Sequence, residues 1–336
     1  MARKSLDSLL NFEAPKVATP TELVRTEVPT ADGHPLVMKP TRNDVLLDAW
    51  MGANKATIDQ HLHQYGGILF KGFKLPDSAA FHKAVAALKE NLMDYSDRSS
   101  PRTKLNSDKV YTSTEHPSDQ TINMHNELAY SHNWPMRIAF YCRVAAAEGG
   151  ETPVADSRKV YQALSPATQQ AFAEKGILYV RRLHEGIGLS WQEVFQTEDV
   201  AVVEQHCRDR KMDFEWKSAN DLTISWQRPA VQTHPETGET VWFNHGYFFN
   251  KFALPEEIRS AFTDNSDLPF NTFFGDGTEI PERIVQEIEA AWDQARVAFP
   301  WEEGDLLLLD NMLMAHGRNP FKGDRAIHVI MCAPHH

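Results

Sequence analysis

Two hydrophobic rhythms alternate along the chain. Short apolar runs bounded by turn residues read as strands at 66–72 (Gly-Gly-Ile-Leu-Phe-Lys-Gly), 138–144, 176–183 and 305–309. Elsewhere the apolar residues follow helical spacing. Phe81, Val85, Leu88 and Leu92 mark one face of a helix over 78–93, with Asp77 or Ser78 as its cap. Helices are also expected over 157–175 and over 281–298, the latter opened by Pro281. The segment 190–216 reads as helical with little β pattern. Strand pattern returns at 223–227 and 231–243, the second broken by a turn at His234-Pro235-Glu236-Thr237-Gly238. Two closing strands, 305–309 and 326–332, flank a loop at 310–324 that holds Gly317, Pro320 and Gly323.

The order is therefore strands, a helical insert around 184–220, then strands again. A mainly β sandwich or barrel with inserted helices accounts for this better than a repeating βαβ unit. Residues 1–40, rich in Pro, Thr and charge, are expected to wrap the surface as an irregular arm. Residues 41–336 are expected to form one domain, large but within the size of a β-barrel-type domain with insertions.

Composition narrows the function classes. A formal charge of −12 argues against a nucleic-acid binder and gives no support for docking on an anionic membrane. The longest obvious apolar run, 306–309, is far too short for a membrane span. The first residues carry two basic side chains but no continuous apolar run, so no secretory signal is expected. Cys142, Cys207 and Cys332 lie far apart, which indicates neither a disulfide framework nor a zinc knuckle. A reducing, cytoplasmic setting is expected, with the oligomeric state left open.

The candidate chemistry centres on His125-Asn126-Glu127 and the distant His316. Two imidazoles and one carboxylate on one face of an octahedral ion are the ligand set of non-haem iron(II) oxygenases. Alternate residues of an extended chain point the same way, so His125 and Glu127 can reach one metal. Three protein ligands leave three positions, enough for a bidentate keto-acid and dioxygen. The His-x-acid pair alone is weak evidence. With 15 histidines and 46 acidic residues in 336, about two such pairs arise by chance, a false-positive rate a bare motif must carry. Two occur, His125-x-Glu127 and His234-x-Glu236, and the second lies in a turn sequence where surface polar residues are expected.

Context separates them. After the first pair comes Glu148-Gly149-Gly150-Glu151-Thr152-Pro153-Val154-Ala155-Asp156-Ser157-Arg158. Near the C-terminus come Gly304-Asp305 with four leucines and Asp310-Asn311, then His316-Gly317-Arg318-Asn319-Pro320-Phe321 and Gly323-Asp324-Arg325. With these ordered motifs the chain resembles the taurine dioxygenase-like (TauD/TfdA) family of iron(II)/2-oxoglutarate dioxygenases. Residues 113–135 and 149–158 look most like the branch near syringomycin-pathway aspartyl hydroxylases. The likeness covers about 60–335 and is densest at 110–165 and 300–332.

The resemblance implies a double-stranded β-helix (jelly roll) with helical insertions. It implies iron(II) on His125, Glu127 and His316, and 2-oxoglutarate with its far carboxylate on Arg325 and Thr152. A guanidinium fork suits a carboxylate, and a hydroxyl adds one donor. Arg325 lies nine residues after His316, closer than in several relatives, which leaves Arg318 as a competing clamp. Related halogenases replace the acidic ligand with a small residue. Glu127 therefore implies hydroxylation by default, with desaturation and cyclisation open. The substrate implied is an amino acid or an amino-acid-derived metabolite, free or tethered to a carrier protein. A sulfonate, phosphonate or aryloxy acid is the alternative, and His328, where some anion-using relatives carry arginine, counts against it. A non-catalytic protein on the same scaffold is a third reading. Glu115 is the candidate partner for a substrate ammonium, beside Ser113 at the pocket mouth. The aromatic-rich set of Trp226, Trp242, Phe243, Tyr247, Phe248 and Phe249 is expected to be core packing first and substrate wall second.

Overall fold

The structure is a computed structural model that describes residues 23–28, 33–94, 103–105, 109–113, 116–184, 188–262 and 267–335. Among these, the central sheet runs in the order β1 (Val24–Glu27), β2 (Leu36–Pro40), β3 (Gly67–Phe70), β16 (Leu306–Asp310), β6 (Trp134–Val144), β19 (Ala326–His335) and β4 (Tyr111–Thr112). Every pairing is antiparallel except β2 with β3. A smaller sheet is ordered β15 (Arg296–Val297), β8 (Val154–Asp156), β17 (Met314–Arg318), β5 (Ile122–His125).

Alternation explains how the two sheets are held. Successive side chains of a strand face opposite ways. Ile138, Phe140 and Cys142 of β6, Leu307 and Leu309 of β16, and Ile327, Val329 and Met331 of β19 share one core with Met124, Val154, Ala155 and Met314 of the smaller sheet. Their neighbours Ala139, Tyr141, Leu306, Leu308 and Ile330 face the other way, into a second core. Three helices, Leu47–Ala53, Lys55–Tyr65 and Ser78–Ala86, cover that second face with Trp50, Leu62 and Phe81. The continuous leucine run of β16 is thus a strand buried on both faces, where alternation of polarity is lost. This pair of facing sheets is the double-stranded β-helix.

Between β8 and β15 the chain makes one long excursion. It opens with helices Ser157–Ala163 and Pro166–Lys175. Asp156 caps the first, and Ser165 the second, with Pro166 in its first turn. A four-stranded sheet follows in the order β10 (Asp213–Ser218), β11 (Asp221–Arg228), β9 (Ile177–His184), β14 (Phe270–Phe274). A small hairpin pairs β12 (Val231–Thr233) with β13 (Thr240–Trp242), and outside the excursion a short long-range ladder pairs β7 (Glu148–Gly149) with β18 (Phe321–Lys322).

Four expectations change. The helix expected over 78–93 ends at Ala86, and Leu92 bridges to Cys332 instead. Residues 36–40, assigned to an irregular arm, form the buried strand β2, paired parallel with β3. The segment 190–216, read as helical, contains helices Trp191–Phe195 and Val200–Asp209 and then enters β10. Finally, His316 is not in a loop but in the middle of β17. No helix among the described residues is long and apolar enough to cross a membrane. All three cysteines are buried and free.

Candidate active site

His125 ends β5, and His316 is its register partner on β17, with ring centroids 4.5 Å apart. Glu127 follows in the turn after β5, its Oε2 3.9 Å from His316 Nε2. One ligand atom from each of the three lies within 4.8 Å of the others, and Glu127 and His316 are buried. At 3.9 Å this carboxylate oxygen and imidazole nitrogen are too far apart for a hydrogen bond to each other. Nδ1 of His125 donates to the Asn123 carbonyl at 2.8 Å. A carbonyl only accepts, so this bond places the proton on Nδ1 and leaves Nε2 with a lone pair. Such a donor set fits a divalent first-row ion.

Beside this cluster runs a narrow cleft lined by Ile122, Phe140, Thr152, Arg325, Ile327 and Val329, with His125 and His316 at its other end. Arg325 donates from Nε to the Gly150 carbonyl at 2.9 Å. Among the described residues its terminal nitrogens have long contacts, 3.4 Å to Thr152 Oγ1 and 3.5 Å to Ser113 Oγ. No carboxylate of the described residues pairs with it. Burial, aided by the charge of Arg318, lowers its pKa to about 10. The hydroxyl of Thr152 accepts from Trp301 Nε1 at 3.1 Å, which leaves its own proton to donate. Among the described residues, the Arg325 end of the cleft is thus rich in donors and short of acceptors.

Arg318 also lines the cleft, but its fork is engaged elsewhere. Its terminal nitrogens donate to the carbonyls of His116 at 2.9 Å, Pro117 at 2.5 Å and Gln120 at 2.7 Å. The arginine ties the loop before β5 to β17. Of the other candidates, His234 is not a surface turn residue. It is buried, with Nε2 3.1 Å from Asp310 Oδ2, while Nδ1 accepts from the backbone of Glu236 and Thr237. His328 turns toward the helix layer, where Nδ1 meets Ser78 Oγ at 2.8 Å. Its identity therefore says nothing about the charge of a substrate in the cleft. Glu115 lies outside the described residues.

A cavity of about 740 Å³ opens on the outer side of His125 and Glu127. Phe248, Phe249, Phe270 and His245 form an aromatic wall, while Trp242 and Phe243 are core. The aromatic stretch thus divides between the two roles. Glu257 and His116 are also at the cavity, and no Lys or Arg is among its described lining residues. Burial, and then the neighbouring His125, hold the His245 pKa well below its ordinary value, so its ring is neutral.

Sequence reasoning missed the residues that hold the cluster. Asn126 and Asn311, both fully buried, cross-link the turn of Glu127 to the turn between β16 and β17. Asn311 stood in the quoted Asp310-Asn311 motif, but nothing in its position assigned it a contact.

Over residues 32–332 the chain matches the "Taurine catabolism dioxygenase TauD, TfdA family". The chain belongs to this family. It is an enzyme of the iron(II)- and 2-oxoglutarate-dependent dioxygenase type. It is 37% identical to the dapdiamide synthesis protein DdaC of Enterobacter agglomerans, over 90% of this chain and 92% of that one. A clavaminate synthase-like protein of Arabidopsis thaliana is 32% identical over 83% of this chain and 84% of its own length. Among solved structures, PvcB of Pseudomonas aeruginosa shares the fold with a TM-score of 0.53 at 14% identity, covering 88% of this chain and 84% of that one.

Proposed function

We propose that this dioxygenase hydroxylates an unactivated C–H bond of an amino acid or an amino-acid-derived metabolite, free or tethered to a carrier protein. The observation that carries the reading is the His125, Glu127 and His316 cluster. It stands between a donor-lined cleft and a separate aromatic cavity. The cluster would hold iron(II), and the cleft would hold 2-oxoglutarate with its far carboxylate on Arg325 and Thr152. Together, when bound, these groups supply oxygen activation coupled to decarboxylation, so that substrate, 2-oxoglutarate and dioxygen give hydroxylated product, succinate and carbon dioxide.

The protein's own part is position and dryness. Arg325 neutralises the far carboxylate, and the Thr152 proton completes its hydrogen bonding. Ile122, Phe140, Ile327 and Val329 line the shaft between and exclude water. His125 orients its Nε2 through the Asn123 carbonyl. Phe248, Phe249 and Phe270 wall the cavity where the substrate docks without joining the metal ligands.

Two observations support a substrate of amino-acid type. The relative at 37% identity is named for a biosynthetic role. The cavity presents Glu257 and no described cation, which suits an ammonium better than a lone anion. The family's name points the other way, to a sulfonate. One experiment separates the two. Succinate release is followed with iron(II), 2-oxoglutarate and air, on free and carrier-bound amino acids and on taurine-like sulfonates. Amino-acid substrates are expected to stimulate release. Stimulation by sulfonates alone would remove the amino-acid reading.

A further inference from the structure

Glu127 lies just past the end of β5, where the ladder to β17 pairs His316 with His125 and goes no further in that direction. A ligand placed there needs its backbone fixed by something other than a sheet. Asn311 supplies it. Its Oδ1 accepts the Glu127 N–H at 2.7 Å, and its Nδ2 donates to the carbonyls of Glu127 and Pro135, each at 2.9 Å. One side-chain amide thus satisfies both backbone polar groups of Glu127. The backbone carbonyl of Asn311 in turn accepts Asn126 Nδ2 at 2.7 Å, and the same amide donates to Ser157 Oγ at 3.0 Å. The turn bearing Asn311 is itself pinned by Asp310, whose Oδ1 accepts from the backbone of Met312 and Leu313 at 3.0 Å each.

We infer that Asn311 is a positioning residue for the carboxylate ligand. Through it, the turn that presents Glu127 is registered against the segment that presents His316. The inference rests on the reading of His125, Glu127 and His316 as metal ligands. The residue type follows from the partners. The site needs one acceptor facing an N–H and two donors facing carbonyls, and the Asn amide offers both. Asp keeps the acceptor but turns a charged oxygen toward two carbonyls. Ala leaves one donor and two acceptors unpaired in a fully buried place. Gln is longer by a methylene, which would shift its amide from these three partners at a fully buried site. The neighbouring Leu128 has φ of 56°, a left-handed conformation costly for a branched side chain, so the turn has little tendency to hold its shape unaided.

The test uses Co(II) as the probe, titrated into the full chain without oxygen and read by its visible absorption bands. Wild type is expected to bind, and Asn311→Ala and Asn311→Asp to bind about tenfold to a hundredfold more weakly with altered bands, as orienting partners of metal ligands do. Asn126→Ala, which frees the Asn311 backbone carbonyl and Ser157 Oγ but leaves the Asn311 side chain on Glu127, is expected to shift affinity in the same direction by less. It carries the test should the Asn311 variants fail to fold. Phe81→Leu, in the helix layer, is the control for mere loss of stability and is expected to keep wild-type affinity and bands. Folded Asn311 variants that bind within twofold of wild type with unchanged bands would overturn the inference. So would an equal loss in Phe81→Leu. Wild type without affinity, or His316→Ala binding as tightly as wild type, would instead overturn the ligand reading beneath it.

Discussion

A part-buried guanidinium that no carboxylate of the described residues pairs with is costly, and Arg325 is placed that way in the cleft. Its depressed pKa, about 10, still leaves it charged at neutral pH. The sign of the linkage is informative. Between about 10 and the ordinary arginine value the unfolded chain holds the proton more tightly than the folded one. In the absence of ligand the Arg325 contribution to stability therefore improves as pH rises through that window. A dicarboxylate relieves the cost by pairing with the charge. Arg325→Gln is expected to raise the KM for 2-oxoglutarate tenfold or more, the loss of a charge-assisted bond of about 1.5–3 kcal/mol. It should also abolish the rise in melting temperature that 2-oxoglutarate gives wild type. Succinate assays and thermal melts with and without the keto-acid check both. In wild type the affinity should be flat through neutral pH and fall above about pH 10. Arg318→Gln should instead cost stability, since three backbone carbonyls lose their donor; a larger effect on 2-oxoglutarate than that of Arg325→Gln would reverse the assignment. At this scale the sequence was legible where a residue's chemistry is its role. His125, Glu127 and His316, and Thr152 with Arg325, were picked out by residue type, and the structure brings each set together. Asn311 was not legible, because its role lies in backbone contacts made across 184 positions, and no local pattern records them.

Strands that carry the site were harder to read than strands that carry the core. β6, β9 and β16 are continuous or cleanly alternating apolar runs, and their patterns name them. β17 was read as loop because Gly317 interrupts it and Pro320 and Gly323 follow it. Gly317 is there for a different reason. A Cβ at this position would lie 2.7 Å from the Ile122 carbonyl oxygen and 3.1 Å from Met124 Sδ. The glycine lets β17 approach β5 at the register shift between His316 and Arg318. β10 escaped notice because its residues are mostly exposed, and β2 because its Pro and Lys gave it the composition of an arm. Gly317→Ala tests the strand. The obstacle is backbone and cannot rotate away, so β17 must move off β5 and carry His316 away from His125. Overpacking of this kind costs about 1–3 kcal/mol. Metal affinity should fall by more than that loss of stability explains, as judged by iron(II) titration beside a urea melt. A folded Gly317→Ala protein with unchanged iron affinity would show that the close approach of these strands does not set the distance between the two imidazoles.

The whole molecule divides its labour across one sheet. The face of β6 and β16 turned to the helices holds Ala139, Tyr141, Leu306 and Leu308, and the opposite face holds Phe140 and Leu307, toward the smaller sheet and the site. Protein interiors are close-packed, so a void on either face is felt as lost stability. Whether it is also felt at the site depends on how stiff the sheet between them is. Leu62 is fully buried in the helix layer. Phe140 lines the cleft, its ring edge-on to His316 with centroids 4.9 Å apart. Leu62→Ala and Phe140→Ala should each cost about 2–5 kcal/mol in urea melts, the range for emptying a large apolar site. Only Phe140→Ala should raise the half-saturating concentrations of iron(II) and 2-oxoglutarate, because it alone removes a wall from the His316 ring and admits water to the cleft. The seven hydrogen-bonded strands predict this separation, since a cavity behind such a sheet can relax into the helices that cover it. If Leu62→Ala shifted iron saturation as far as Phe140→Ala at equal folded fraction, the sheet would be transmitting strain rather than partitioning it, and the helix layer would belong to the site.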